Sequence, residues 1–178
     1  QLALAYYLTH RYADAAAAID KCMGFAENPK WQAVEEARVN PIWYRSCMSL
    51  KTDDDGRAAM LDWQYRSLRR AGKHADARRL ARAVREGWTV RENAPYYRAL
   101  LFYRGIRDET STLDSLSAQG ELAFVTGAYG VANWHLMEGD TTRARALFER
   151  IVGSDQWPAF GFIAAEVDLA RMRADSVR

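Results

Sequence analysis

The segment 129–152 constrains the fold of this chain most strongly, because it has the pattern of two amphipathic helices joined by one tight turn. Apolar residues in both halves recur at offsets of about 3, 4 and 7, the period of a helix with one buried face. Gly139 between the halves can adopt the positive φ that ends a helix, and Asp140 or the threonine after it can cap the next one. Gly130 and Ala144 leave room for the two helices to cross closely. The segment therefore predicts a helical hairpin.

Comparable helix pairs follow one another along the rest of the chain. Their turns fall at His10, Asn40, Gly72, Gly105 and Gly139, which are 30, 32, 33 and 34 residues apart. A near-constant period between about 20 and 50 residues is typical of stacked repeats. No long alternation of β-branched residues flanks an Asn-Gly or Asp-Gly turn, as it would in a β-hairpin. The sequence therefore predicts an all-α protein built as an α-solenoid.

Several positions of these helix pairs carry the residues of a known repeat. The best match is Tyr129, Gly130, Gly139, Ala144 and Phe148, with partial matches at Leu68, Gly72, Ala77 and Ala81 and at Tyr12, Ala15 and Ile19. In these residues the chain resembles the tetratricopeptide repeat (TPR) family, whose units are helix pairs of about 34 residues. The resemblance implies four to five TPR-like hairpins, at about 1–28, 30–51, 58–90, 95–120 and 121–155. A closing helix at 158–175 would follow, with Pro158 in its first turn.

The resemblance also implies a binding surface, because the first helix of each TPR pair lines a concave groove. Here that groove would contain Tyr7, Arg38, Arg66, Arg69, Arg70, Phe102, Tyr103, Asn133 and Met137. Family members that bind a peptide carboxylate use lysines and asparagines, and only Asn133 stands at a matching position. The arginines of this set, beside its aromatic residues and methionine, indicate a protein or peptide with apolar anchors flanked by acidic residues. The predicted function is a non-catalytic protein–protein interaction scaffold.

Composition and charge exclude several other classes. A net charge of +2 over 178 residues is too small to favour a nucleic acid or an anionic membrane surface. No apolar run approaches the roughly 20 residues of a membrane-spanning helix, so we expect a soluble protein. Arginine supplies 21 of the 25 basic residues, which is typical of a GC-rich, bacterial genome. The chain begins at Gln1, either a processed end or the edge of an excised piece, and the localisation therefore stays open.

No catalytic, cofactor-binding or metal-binding motif stands out in the sequence. His10, His74 and His135 lie in or beside different turns without a second histidine at ligand spacing, which indicates surface or packing roles. The run 53–55 of three aspartates lacks the distal glutamate and alternating ligands of an EF-hand. It predicts a solvated loop that caps the helix after it.

The two cysteines, Cys22 and Cys47, do not have the spacing of a metal site. Two cysteines in a chain of this length also do not make a disulfide framework. Because free cysteine is among the most buried residue types, the pattern predicts two thiols buried in helices.

A basic segment covers residues 69–85 and is the one charge feature with a defined shape. Arg78, Arg82 and Arg85 recur at intervals of 4 and 3 residues and so share one helix face. The face is either a solvated outer surface or a site for an anionic partner, since clustered guanidinium groups bind carboxylate or phosphate.

The two ends of the chain differ in polarity. The first helix has no charged residue before His10, and its apolar residues form a possible assembly surface, namely Leu2, Leu4, Tyr6, Tyr7 and Leu8. The closing helix presents Glu166, Asp168, Arg171 and Arg173 and would act as a polar cap. Either upstream repeats cover the first helix, or it docks on the far end of another copy. Self-assembly into a filament or ring is thus the alternative function, with a homo-oligomer formed through the first helix.

Overall fold

A computed structural model describes residues 1–27 and 38–176 of the chain. All regular secondary structure in these two ranges is helical, which confirms the predicted all-α class. No helix within them combines the length and the apolar character that crossing a bilayer requires. In chain order the helices are α1 (Leu2–Leu8), α2 (Tyr12–Glu27), α3 (Pro41–Ser49), α4 (Asp54–Arg70), α5 (His74–Ala83), α6 (Ala94–Tyr103), α7 (Glu109–Ser117), α8 (Glu121–Glu138), α9 (Thr141–Val152) and α10 (Phe160–Ser176).

The hairpin predicted around Gly139 is formed by α8 and α9. Gly139 has a φ of 88° and ends α8 in the left-handed conformation. The side chain of Asp140 accepts a hydrogen bond of 3.0 Å from the backbone N–H of Arg143 and so caps α9. The apolar stripe of α9 is buried, with Phe148 and Ile151 wholly inaccessible to solvent. The local pattern of this segment therefore predicted its structure correctly.

The other predicted turns lie between helices as well. Gly72 and Gly105 follow α4 and α6 with φ values of 74° and 78°, and His10 adopts the same left-handed conformation between α1 and α2. Asn40 instead caps the start of α3, where its side chain accepts a hydrogen bond of 3.3 Å from the N–H of Trp43. Glycine and asparagine thus mark the helix ends for different reasons, one by its free φ and the other by its side chain.

The last helix begins later than the sequence predicts. Trp157 and Pro158 lie in a turn closed by a 3.0 Å hydrogen bond from the N–H of Ala159 to the carbonyl of Gln156. Helix α10 then starts at Phe160. Proline therefore precedes this helix and is not part of its first turn.

A row of alternate helices forms the middle of the molecule. Helix α4 packs against α6, α6 against α8, and α8 against α10. Helices α2 and α5 both pack on α4, α7 packs on α8, and α9 packs on α8 and α10. The main core lies along this row, around buried Val125, Tyr129 and Phe148. One face of α4 therefore looks toward α6 and α8, and another lies between α2 and α5.

Helix α3 lies beside this row and packs mainly against α2. A disulfide between Cys22 of α2 and Cys47 of α3, with the Cα atoms 5.1 Å apart, joins the two helices. The prediction of two buried thiols was therefore wrong, although both sulfurs are buried as expected. The pairing depends on how α3 folds back on α2, which the separation of 25 residues does not reveal. Most of the first helix of the predicted 30–51 hairpin lies outside the described residues.

Candidate functional site

The residues predicted to line a groove do not form one open surface. Arg66 and Asn133 are wholly buried, and Tyr7 and Arg69 are nearly so, whereas Arg38 is exposed. The partly buried members are Arg70, Phe102, Tyr103 and Met137. The buried members cannot touch a partner in this structure, which corrects their assignment as groove residues. The physical reason is that α6, α8 and α10 cover the face of α4 that carries the arginines.

An ion pair between Asp62 and Arg66 occupies the centre of this covered face. Both side chains of α4 are wholly buried and in direct contact. The hydroxyl of Tyr103 donates a 2.9 Å hydrogen bond to Asp62. The guanidinium carbon of Arg66 lies 4.6 Å from the ring centroid of Trp63 and 5.0 Å from that of Tyr129, close enough for cation–π attraction. Aromatic rings and one carboxylate thus surround a charge that water does not reach.

Gly130 makes this arrangement possible. A Cβ at this position would collide with the Tyr103 hydroxyl and would lie 2.9 Å from Arg66 and 3.3 Å from the Cβ of Ala99. The small residue therefore serves the contact of α8 with α4 and α6, and not the crossing of α8 and α9 that the sequence suggested.

A second buried ion pair links α4 to α10. Arg70 donates hydrogen bonds of 2.6 Å to Asp168 and 2.5 Å to Asn133. The hydroxyl of Tyr129 donates to Asp168 at 2.9 Å, and the hydroxyl of Tyr7 lies 2.9 Å from that of Tyr129. Asp168 was predicted on a solvated polar cap, but its side chain is only 4% exposed, because it points inward to pair with the side chain of Arg70, which is 5% exposed. Together with Asp62, Arg66 and Tyr103, these residues form what we call the buried polar cluster.

Burial dominates the ionisation of the cluster. Desolvation raises the pKa of Asp62 to about 6, although the charge of Arg66 and the hydrogen bond from Tyr103 oppose the rise. Desolvation also raises the pKa of Tyr7 to about 12, so its hydroxyl is neutral at physiological pH. Burial alone would lower the pKa of Arg66, but the attraction to Asp62 and the contributions of Tyr103 and Tyr96 together outweigh it, and the net shift is upward.

The polar groups of the cluster contact one another and not the solvent. Its acids, bases and hydroxyls bond to one another, and the side chains of Asp62 and Arg66 have no exposed surface. A substrate therefore has no access to them in this structure. We infer that the cluster has a structural role, which is to fix the positions of α1, α4, α6, α8 and α10 relative to one another.

The histidines are also accounted for by local contacts. His135 is buried with its Nε2 atom 3.0 Å from Glu109, so it packs α8 against α7. His10 and His74 are exposed at helix ends. Within the described parts of the chain, no group of three or more histidine, cysteine or acidic side chains is placed to hold a metal ion.

An open cleft lies on the opposite side of α4, between α2 and α5, and we call it the α2–α5 cleft. Its volume is about 640 Å³. Residues of α4 at intervals of 4, 3 and 4 form its floor, and one helix forms each wall. The floor consists of Arg57, Leu61, Gln64 and Leu68, the α2 wall of Ala16, Ala17, Asp20 and Met23, and the other side of Lys73, Asp76, Arg79, Leu80, Ala83 and Trp88.

The lining of the cleft mixes apolar side chains with polar and charged ones. Leu61 and Leu80 are only partly buried, so apolar surface is open to solvent. Gln64 donates a 3.4 Å hydrogen bond to Asp20, and Arg79 pairs with Asp76 at 2.5 Å. Such a surface suits a ligand that is apolar on one side and charged along its flanks.

One end of the cleft is held in place by aromatic stacking. The rings of Trp88 and Tyr97 are stacked with centroids 5.6 Å apart, and the Tyr97 hydroxyl donates a 2.6 Å hydrogen bond to the carbonyl of Arg85. The loop after α5 is therefore fixed against α6, and Trp88 presents a preformed edge to the cleft.

The sequence contained part of the signal for this cleft. Leu61, Leu68 and Leu80 fall at apolar positions of two helices, but the sequence could not show that Leu61 and Leu80 stay partly uncovered. The nearby basic face is solvated, since Arg78, Arg82 and Arg85 are all exposed.

The predicted assembly surface on α1 is mixed. Leu2 is 61% exposed, whereas Tyr7 is buried against Tyr129. Leu4, Tyr6 and Leu8 are partly buried against the core. Tyr7 is therefore not part of an exposed assembly surface, because its hydroxyl is bonded within the buried polar cluster.

No protein-family model, curated protein or solved structure matches this chain. The geometry of the molecule alone therefore carries the functional argument.

Proposed function

We propose that the chain is a non-catalytic, TPR-like α-solenoid scaffold that binds a segment of a partner protein in the α2–α5 cleft. The observation that carries the proposal is the cleft itself, with about 640 Å³ of open volume beside the partly exposed side chains of Leu61 and Leu80. Apolar surface that stays open between fixed helices is typical of an interaction site.

The order of the helices supports the TPR-like part of the proposal. Helices α4, α6, α8 and α10 lie side by side, and α5, α7 and α9 follow them in alternation along the chain. In a repeat stack, each unit buries its apolar face against its neighbours and leaves extended surfaces for partners. The buried polar cluster is a departure from a uniform array.

Peptide display tests the proposal. A library of random 15-residue peptides is selected on the folded chain, and the enriched peptides are measured against two blocking variants, Ala17→Trp and Ala83→Trp. Both alanines are exposed and line opposite walls of the cleft. Ala75→Trp is the matched control, because Ala75 is exposed on α5 but does not line the cleft.

The expected result is enrichment of peptides whose binding both blocking variants abolish and the control preserves. Enriched peptides that bind all three variants equally would contradict the assignment of the cleft, and so would a selection without any enrichment.

Self-assembly remains the second candidate function, and exposed apolar side chains at two places favour it. Leu2 is 61% exposed and Trp157 is 71% exposed. A contact between such unlike surfaces of two copies would be heterologous and would propagate into a filament or close into a ring. Sedimentation of the chain over a concentration series tests this. A sedimenting mass that rises with concentration, and that returns to the monomer mass in the Leu2→Glu variant, supports assembly. A monomer mass at every concentration contradicts it.

We also propose that the protein functions in an oxidising compartment, and the disulfide between Cys22 and Cys47 supports this. Structural disulfides persist in secreted and periplasmic settings and are rare where thiols are kept reduced. Alkylation of free thiols in the producing cell, followed by mass spectrometry, tests this. Cys22 and Cys47 should stay unmodified until a reductant is added.

A further inference from the structure

The geometry points to one class of occupant for the α2–α5 cleft, an amphipathic α-helix of about three turns that carries acidic residues on the flank facing α5. This inference rests on the proposed function and adds the conformation and the charge of the bound segment.

The length of the occupant follows from the floor of the cleft. Arg57, Leu61, Gln64 and Leu68 recur at intervals of about one helical turn of α4, and 11 residue steps separate the first from the last. At 1.5 Å per residue this stripe is about 16 Å long, or about three turns. A helix laid along the stripe would place apolar residues at i, i+3 or i+4, and i+7 against the floor.

The walls favour a helix over an extended peptide. An extended segment needs partners for its backbone N–H and C=O groups, whereas a helix satisfies its own. The walls are helices, whose main-chain groups in the middle of the cleft already bond within α2, α4 and α5. Among the described residues that line the cleft, Gln64 is the one side-chain amide, and it already donates to Asp20. The cleft therefore offers little to an extended backbone.

Small side chains on both walls leave space for a helix backbone. Ala16 and Ala17 line the α2 wall and Ala83 lines the α5 wall. The axes of packed helices lie about 8 to 10 Å apart, and the distance depends on the size of the side chains at the contact. Small side chains at these positions would let a docked helix approach both walls closely, over the partly exposed Leu61 and Leu80.

The charges of the walls orient the occupant. The α5 wall presents Lys73 and Arg79, with Asp76 between them, and the α2 wall presents Asp20. Arg79 is 76% exposed at its side chain, so a second carboxylate can reach it beside Asp76. The helix should therefore carry glutamate or aspartate toward α5 and a basic residue toward Asp20.

Two structured peptide libraries test this inference on the intact chain. The helical library has an alanine-rich 15-residue frame, with apolar residues varied along one face and charged residues varied on its flanks. The extended library has the same composition but a proline at every fourth position, which prevents helix formation. Ala17→Trp and Ala83→Trp again block the cleft, and Ala75→Trp is the control.

Enrichment from the helical library, lost in both blocking variants and kept in the control, is the expected result. Cleft-dependent enrichment from the extended library alone would overturn this inference and leave the proposed function standing. A failure of both libraries would count against both.

A charge reversal tests the orientation with a selected helical peptide. Lys73→Glu should raise the dissociation constant about threefold to tenfold, and a peptide with its facing acid changed to lysine should restore binding. Arg78→Glu makes the same charge change on an exposed residue outside the cleft and should have a smaller effect. Equal effects of the two variants would contradict the predicted orientation.

Discussion

The hydroxyl groups of Tyr7 and Tyr129 lie 2.9 Å apart, although 122 residues separate them in the chain. This contact joins α1 to α8. The hydroxyl of Tyr129 in turn donates a hydrogen bond to Asp168, which joins α8 to α10. The first and the last described helices are thus joined in one hydrogen-bonded network. The network holds the helix row together on the side opposite the α2–α5 cleft.

Removing the Tyr7 hydroxyl should therefore destabilise the fold without creating a cavity. Tyr7→Phe loses the contacts to Tyr129 and Asn133, and we expect the free energy of unfolding to fall by about 1–2 kcal/mol. Urea denaturation measures this difference. Tyr6→Phe is the control, since Tyr6 is only partly buried, and should change the value by less than about 0.5 kcal/mol. Equal effects would show that the buried hydroxyl adds nothing.

Arg66→Met should be the more severe change, because it leaves the carboxylate of Asp62 buried without its cation. We expect a loss of about 3–5 kcal/mol in unfolding free energy at pH 7. The loss should be smaller at pH 5, where Asp62 can take up a proton and become neutral. Arg69→Met is the matched control on α4, since its partner Glu138 is 45% exposed, and it should cost less. A loss for Arg66→Met that is the same at both pH values would argue against this account.

The raised pKa of Asp62 predicts a pH dependence of stability with a definite sign. Its pKa is about 6 in the folded chain against an ordinary value of 3.8, so between these values the folded state binds more protons than the unfolded state. The unfolding free energy due to this group should then fall as pH rises from about 4 to 6, by up to about 3 kcal/mol. Asp62→Asn keeps an acceptor for Tyr103 and should lack this component. Denaturation series at pH 4.5 and 7 on both proteins measure it, and parallel profiles would refute the prediction.

The disulfide should stabilise the pairing of α2 and α3. For a loop of 25 residues, the chain-entropy relation gives about 3.5 kcal/mol of stabilisation. Reduction with a dithiol should lower the unfolding free energy by an amount of that order, and hydrogen exchange should show the largest loss of protection in α3. The double variant Cys22→Ser, Cys47→Ser is the control, because the reductant should not change its stability. An unchanged midpoint for the natural chain after complete reduction would contradict the role assigned to the bond.

The sequence predicted the features that depend on neighbouring residues only, namely the turns, a helix cap and the all-α class. Turns at Gly72, Gly105 and Gly139 could be located because a glycine with free φ interrupts a helical apolar period. The capping role of the aspartate run was likewise visible, and Asp53 does accept a hydrogen bond of 3.0 Å from the N–H of Asp55 at the start of α4. The all-α class follows from these local rules.

The candidate sites depended on contacts across the chain and were only partly predictable. Periodicity shows that Arg66 and Arg70 share a side of α4, but not that α8 and α10 cover it. The partner of Arg70, Asp168, lies 98 residues away, and the partner of Cys22 lies on a helix that folds back. Likewise, Leu61 and Leu80 look like core residues in the sequence. Only the separation of α2 and α5 shows that they border an open cleft.

The most direct test of the central claim is a chemical-shift map of the ¹⁵N-labelled chain titrated with a peptide selected on it. We predict that the largest amide shifts cluster at the residues lining the α2–α5 cleft, especially Ala17, Asp20, Leu61, Leu80 and Trp88. Shifts concentrated instead around Arg38, Phe102 and Met137, with the cleft residues unchanged, would contradict the account and return the binding surface to the groove that the sequence predicted.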